Sequence, residues 1–243
     1  MGAFQGCICA GPVFIQGETM NEKSYFVEDE EQSLAMLQNG EFIEAFAACV
    51  DILGACFLFH PVKEQAAQVF PALVNMDIAL DWPFGEERDR REAASLLREG
   101  QDEFPREVGE EFTRLLRGPG IKPAPAWGSV YMDRDKVMYG RTWHMLRDWM
   151  REHGVKSLYE ANDPEDQFGR LLMLCAQVAR SRADLLCELL GEHVLCWSER
   201  FLSQFYDACE TNTYRGLALL CRTTLRDVQS LLSIEPAVRR MYR

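Results

Sequence analysis

The sequence predicts an all-α protein, built as a single-domain helical bundle with one long Pro-rich loop. Apolar residues recur at spacings of three and four along most of the chain, which is the period of a helix with one buried face. No stretch alternates between apolar and polar residues as a half-buried strand would, and no internal repeat is visible. At 243 residues, the chain is also long enough to bury one sizeable core.

The apolar spacing places the helices in order along the chain. The first is predicted over Glu41–Phe59 and is closed by Pro61, and a shorter one follows over Lys63–Val74. The charged stretch Glu86–Leu116 favours two helices separated near Pro105, because proline breaks a helix interior. Apolar positions predict the remaining helices in four stretches, 143–150, 168–178, 197–208 and 214–232.

The stretch Gly118–Tyr139, which we call the strap, has no clear helical period. Pro119, Pro123 and Pro125 restrict its backbone, so the sequence predicts a semi-rigid loop rather than a flexible linker. Further along, the run 163–166 reads Asp-Pro-Glu-Asp. This run is typical of a helix start, with Asp163 as the N-cap, Pro164 at the first helical position and two acids beside the positive helix end.

Charge is distributed unevenly and indicates a basic partner. The formal net charge is -12, which argues against nucleic acid because phosphate binding requires Lys and Arg. Residues 1–60 hold nine acids and one Lys, whereas residues 211–243 hold six Arg and two acids. We expect residues 1–29 to form an N-terminal extension outside the compact domain, which comprises residues 30–243.

The sequence predicts a cytoplasmic protein that is not integral to a membrane. Charged residues or Gln interrupt every apolar run before it reaches the roughly 20 residues that a membrane-spanning helix needs. The N-terminus lacks the positively charged region and the cleavage site of a secretory signal. The odd number of cysteines, nine, is typical of reduced thiols rather than of a disulfide framework.

Motifs for catalysis and for cofactor binding are missing from the sequence. It has no Gly-rich phosphate loop with its Lys, no dinucleotide fingerprint and no nucleophile elbow. The four histidines show no ligand spacing, and Cys7 with Cys9 is a weak metal candidate because two thiols lack further ligands. We therefore expect a binding protein that is not an enzyme, with no catalytic residues, no metal and no cofactor.

Several stretches resemble a known family of chaperones. They are LGACFLFHP at 53–61, PAWGSVYMDRDKVMYG at 125–140, LRDWMREHGV at 146–155, NDPEDQFGRLLML at 162–174 and CWSERFLSQFY at 196–206. Through them the chain resembles the TorD/DmsD family of redox-enzyme maturation chaperones, from about Ile52 to Arg243. The resemblance implies an all-helical chaperone that binds the twin-arginine leader of a molybdopterin-containing catalytic subunit of the DMSO reductase type.

Such a chaperone assists maturation and proofreads the subunit before Tat export, and Tat translocase components are further candidate partners. Carried over by position, the resemblance implies the leader-binding residues Leu115, Trp127, Gly128, Ser129, Tyr131, Pro164, Glu165, Asp166 and Gln167. Gln167 stands where the family usually has His.

A twin-arginine leader presents two guanidinium groups followed by an apolar stretch, so its receptor needs carboxylates beside an apolar surface. We expect Glu165 and Asp166 to face the Arg pair, and Leu115, Trp127 and Tyr131 to bury part of the apolar stretch. Two alternatives remain at this point. One is a scaffold that binds the mature reductase without recognising its leader, and the other is a nucleotide hydrolase.

Overall fold

A computed structural model of the chain describes residues 31–63, 66–158 and 163–243. Residues 31–38 are helical, and the following helices are α1 (Gly40–Leu58), α2 (Ala66–Asn75), α3 (Ile78–Asp81), α4 (Glu87–Glu99), α5 (Arg106–Phe112), α6 (Gly128–Met132), α7 (Arg141–Glu152), α8 (Phe168–Ser181), α9 (Leu186–Leu189), α10 (Leu195–Ala208) and α11 (Asn212–Leu231). Within the described ranges there is no strand, only an isolated bridge between Trp127 and Gln167. The predicted single-domain helical bundle is confirmed.

Short irregular turns extend several of these helices. A 3-10 turn, Gly100–Glu103, follows α4, and a wider π turn, Thr113–Arg117, prolongs α5 as far as the strap. A second π turn, Leu190–Val194, joins α9 to α10, so that 186–208 forms one nearly continuous helical rod. Such π turns bulge the helix locally and change the direction of its side chains.

The two most extensive helix–helix contacts set the centre of the bundle. Helix α1 packs against α8, where Gly54 and Gly169 allow the two backbones to approach closely. Helix α4 packs in the same way against α11. The rings of Phe57, Phe168 and Phe201 form an aromatic cluster with centroids 4.7–5.9 Å apart. These rings are almost fully buried and fix how α1, α8 and α10 meet.

Two carboxylates, the half-buried Glu103 and the buried Glu111, fix the start of α11. Glu103 accepts hydrogen bonds from the amides of Asn212 (2.8 Å) and Thr213 (3.0 Å), and Glu111 accepts one from the amide of Thr211 (2.9 Å). The first amides of a helix have no partner within it and carry the positive end of its dipole, so these acids stabilise the helix start. They also tie α11 to α5 and to the turn before it.

The structure corrects two predictions of secondary structure. The strap is not wholly irregular, because it contains the short helix α6. Helix α8 begins at Phe168 with Gln167 as its N-cap, so the prediction that Asp163 caps a helix starting at Pro164 is wrong. The backbone at 166–168 pairs instead with the strap, and this extended pairing is incompatible with helical dihedral angles.

Two sequence predictions concern residues that the structure does not describe. The proposed extension, 1–29, lies outside the described residues, and so does the weak metal candidate formed by Cys7 and Cys9. Within the described ranges, every helix is too short or too polar to cross a bilayer.

Candidate functional site

The strap and the segment before α8 lie side by side. The amide of Gly128 donates to the carbonyl of Asp166 (3.1 Å), and the amide of Phe168 donates to the carbonyl of Ala126 (2.8 Å). These two hydrogen bonds flank the bridge between Trp127 and Gln167. The structure therefore brings together two groups of predicted residues that are about forty positions apart in the sequence.

Asp166 joins the two segments from the inside. It is 2% exposed, and its Oδ2 accepts hydrogen bonds from the amide (2.8 Å) and the hydroxyl of Ser129. Burial raises the pKa of the Asp166 carboxyl, while the hydrogen bonds from Ser129 oppose this shift. In this structure, Asp166 faces inward and holds the start of α6, so it does not present a carboxylate to an external arginine.

Gln167 is a structural link to α1. Its side-chain oxygen accepts the amide of Arg170 (2.9 Å), and its nitrogen donates to the carbonyl of Phe57 (3.1 Å). Because one amide group serves as both donor and acceptor here, Gln167 fixes the start of α8 against the end of α1. Pro164, two positions before Asp166, is also buried.

The apolar residues of the predicted set are mostly in the core. Leu115 and Tyr131 are 0% exposed, and Tyr131 packs against the ring of Trp197 at 5.5 Å. Gly128 lies over the same ring, and a Cβ at this position would stand 3.1 Å from it. Trp127 alone among these residues is half-buried and reaches the surface. Direct contact of Leu115 or Tyr131 with a partner would require these side chains to be uncovered.

Glu165 is the predicted acid that reaches the surface. It is half-buried, and its Oε2 accepts a hydrogen bond from Nε1 of Trp143 (2.6 Å). Its other oxygen receives no hydrogen bond from any residue that the structure describes. Both side chains line a cavity of about 650 Å³ between α7 and the segment before α8. A fixed carboxylate with one available oxygen can accept a guanidinium group.

Sequence reasoning missed Trp143, which was assigned to the apolar face of its helix. The contact with Glu165 spans 22 residues and leaves no local pattern that could have predicted it. The guanidinium of Arg147 lies 5.0 Å from the centre of the Trp143 ring. The ring thus attracts a guanidinium group, as aromatic faces do, and Arg147 supplies that group in this structure.

Cations also line this cavity and limit what it can bind. Asp163 is paired with Arg117 (3.0 Å), and the backbone carbonyl of Asp163 accepts a hydrogen bond from Arg170. Arg151 and Lys156 lie at the rim, where Arg151 forms an ion pair with Asp148 on its own helix (2.9 Å). Glu165 is therefore the carboxylate of this cavity that is best placed to receive a cation. Within the described ranges, no group of three or more His, Cys, Asp or Glu residues could hold a metal ion.

Comparisons with known proteins identify the family of this chain. Residues 85–204 match the family model described as "Nitrate reductase delta subunit". The chain is 37% identical over 199 residues to the Tat proofreading chaperone DmsD of Salmonella typhimurium, and to that of Salmonella typhi, covering 82% of this chain and 96% of each relative. A probable Tat proofreading chaperone DmsD of Haemophilus influenzae is 31% identical over 193 residues, or 79% and 94% of the two chains.

The chain belongs to the TorD/DmsD family of redox-enzyme maturation chaperones. The resemblance found in the sequence is thereby confirmed. Members of the TorD/DmsD family are chaperones and not enzymes, which agrees with the absence of catalytic motifs and removes the nucleotide hydrolase as an alternative. The matched range includes the strap, α7 and the segment before α8, and so contains all nine predicted site residues.

Proposed function

We propose that this chaperone acts in the cytoplasm, where it binds the twin-arginine leader of a molybdopterin-containing catalytic subunit of the DMSO reductase type. It holds the leader until the subunit is mature and then releases it for Tat export. The observation that carries this proposal is the carboxylate of Glu165, which Trp143 holds at the mouth of a cavity beside the strap. The names of the Salmonella relatives and the net charge of -12 also support a cationic Tat leader as the partner.

The geometry suggests which residues contact the leader and which position them. One arginine of the leader pairs with the available oxygen of Glu165 and replaces Arg147 against the ring of Trp143. The half-buried ring of Trp127 provides apolar contact for the residues that follow the pair. Asp166, Ser129 and Gln167 hold the strap and the start of α8 in register, and so position this surface without touching the leader. A leader that is bound by the chaperone cannot contact Tat translocase components during maturation.

Removing the charge of Glu165 tests the proposal. The variant Glu165→Gln keeps the size of the side chain and an oxygen that accepts the hydrogen bond of Trp143. We expect it to bind a leader peptide about fivefold more weakly in calorimetry, because a partly exposed charge pair contributes about 1 kcal/mol. Its affinity should also depend less on salt than that of the parent, since fewer charge pairs remain to be screened.

Glu199→Gln is a matched control, because Glu199 is an exposed acid that pairs with Arg226 on the surface (2.6 Å). It removes the same charge and should leave leader affinity unchanged. If both variants keep the affinity and the salt dependence of the parent, Glu165 does not bind an arginine of the leader.

Trp127 gives a second test on the apolar side of the site. Trp127→Ala should weaken leader binding by about 2 kcal/mol, or about thirtyfold, as expected when an aromatic anchor is truncated. Trp127→Phe should retain most of the affinity, because the indole nitrogen has no hydrogen-bond partner among the described residues. Calorimetry on both variants, with circular dichroism to check folding, measures the effect. Unchanged affinity in the folded Ala variant would place the leader away from the strap.

A further inference from the structure

The last ten residues of the sequence, 234–243, lie extended on the surface of the bundle, and we call them the final segment. After α11 ends at Leu231, the chain crosses the second π turn, where the amide of Ala237 donates to the carbonyl of Gly191 (3.0 Å). It then reaches α6, where the amide of Tyr242 donates to the carbonyl of Tyr131 (2.8 Å). Both hydrogen bonds use backbone atoms, so an extended peptide of another sequence could make them equally well.

Arginine side chains hold the final segment to the bundle. The guanidinium of Arg239 contacts the Glu192 carboxylate (2.5 Å) and donates to the backbone carbonyl of Glu192 (3.3 Å), and it also lies 3.7 Å from the sulfur of Met145. The guanidinium of Arg243 donates to the backbone carbonyls of Pro123 (2.7 Å) and Lys122 (3.1 Å), which belong to the strap. The surface beneath the segment is therefore built from acceptors that suit guanidinium groups.

The final segment has the same chemistry as the proposed partner. Its last five residues read Arg-Arg-Met-Tyr-Arg, so that an adjacent Arg pair precedes two residues with large apolar side chains. Met241 packs partly against the core, and Arg240 stacks over the ring of Tyr242 at 5.2 Å. A twin-arginine leader likewise presents an Arg pair followed by apolar residues. The segment also lies against Tyr131 through the amide of Tyr242. The family resemblance assigns Tyr131 to leader binding, but it is fully buried here.

We propose that the surface under the final segment is an Arg-binding part of the leader site, and that the segment occupies it as an internal competitor. This inference rests on the proposed function. It assigns Glu192 as an acceptor for the leader arginine that Glu165 does not hold. A segment that is docked for about nine-tenths of the time lowers the apparent affinity for the leader about tenfold.

The test uses the full chain with the Arg pair of the segment replaced. Arg239→Gln with Arg240→Gln removes the ion pair to Glu192 and leaves the rest of the segment in place. This double variant should bind a twin-arginine leader peptide about five- to tenfold more tightly than the parent in calorimetry, because its own segment competes less well. Adding Glu192→Gln should reverse most of the gain, since the leader then loses the same acceptor.

A charge-matched control separates competition from general electrostatics. Arg182→Gln with Arg226→Gln removes two exposed arginines that pair with Asp184 (2.7 Å) and Glu199 (2.6 Å) elsewhere on the surface. This variant should have the affinity of the parent. Competition by the final segment is excluded if this control binds the leader peptide as tightly as the Arg239 and Arg240 variant does. It is also excluded if neither variant binds the peptide more tightly than the parent.

Hydrogen exchange on the parent provides a readout that does not depend on any variant. Saturating leader peptide should speed exchange at the amides of Ala237 and Tyr242, because the final segment is displaced. Unchanged exchange at both amides, with leader binding established in the same sample, would overturn the inference and leave the proposed function standing. Absence of leader binding in the parent and in every variant would instead remove the proposed function, and the inference with it.

Discussion

Gly169→Ala is expected to lower the free energy of unfolding by about 3 kcal/mol, since overpacking against backbone atoms cannot be relieved by a change of rotamer. A Cβ at Gly169 would stand 2.6 Å from the carbonyl oxygen of Gly54 and 2.9 Å from the amide nitrogen of Leu58. Both atoms belong to the backbone of α1, so α1 and α8 would have to separate. Equilibrium denaturation with urea measures the change.

Gly40→Ala is the matched control. Gly40 is the first residue of α1, and a Cβ there would meet nothing within 4 Å. Since alanine favours a helix over glycine, this variant should be as stable as the parent or slightly more stable. A Gly169→Ala protein with the stability of the parent would show that α1 and α8 can separate at this point without loss of stability.

Lowering the pH from about 6.5 to about 4 should remove about 3 kcal/mol of stability through His193. This side chain is 7% exposed on the second π turn, against the ring of Trp149. Burial, and next the charge of Arg239, lowers the pKa of His193 from 6.5 to about 4. The unfolded chain therefore binds a proton at His193 in this pH range, whereas the folded chain does not. The contribution of neutral His193 to the free energy of unfolding is complete above pH 6.5 and is lost as the pH falls to about 4.

His193→Gln removes this titration while keeping a polar side chain. Carboxyl groups also titrate at the lower end of the range, so the informative quantity is the difference between the parent and the variant. The stability of the variant should fall less steeply than that of the parent between pH 6.5 and pH 4, as measured by denaturant unfolding at several pH values. Parallel pH profiles would show that His193 is protonated equally in the folded and unfolded states.

The sequence predicted the helices well where one face is continuously apolar. Helix α1 is an example, because Phe46, Val50, Leu53 and Phe57 recur at helical spacing and all are buried. The sequence-based prediction failed at the start of α8, where the capping pattern of residues 163–166 favours a helix from Pro164. Pairing with the strap and the hydrogen bonds between Asp166 and Ser129 outweigh that preference. Such contacts join positions 37 residues apart and have no local signature.

At the candidate site too, the sequence identified residues but not the contacts between residues that are distant in the sequence. The resemblance to the family implied nine residues, yet it could not tell Glu165, which reaches the surface, from Asp166, which is buried beside it. That difference depends on the direction of neighbouring side chains in an extended segment. Trp143 and Glu192 went unnoticed because each acts through a partner distant in sequence, Glu165 and Arg239 respectively.

The most direct test of leader recognition compares two leader peptides that differ only in the Arg pair. Lys carries the same charge as Arg but cannot form a bidentate, planar pairing with a carboxylate. Calorimetry on the parent should show at least about tenfold tighter binding of the Arg-Arg peptide than of the Lys-Lys peptide, and Glu165→Gln should reduce that preference. Equal affinity of the parent for both peptides would contradict the account and would favour a scaffold that binds the mature reductase without recognising its leader.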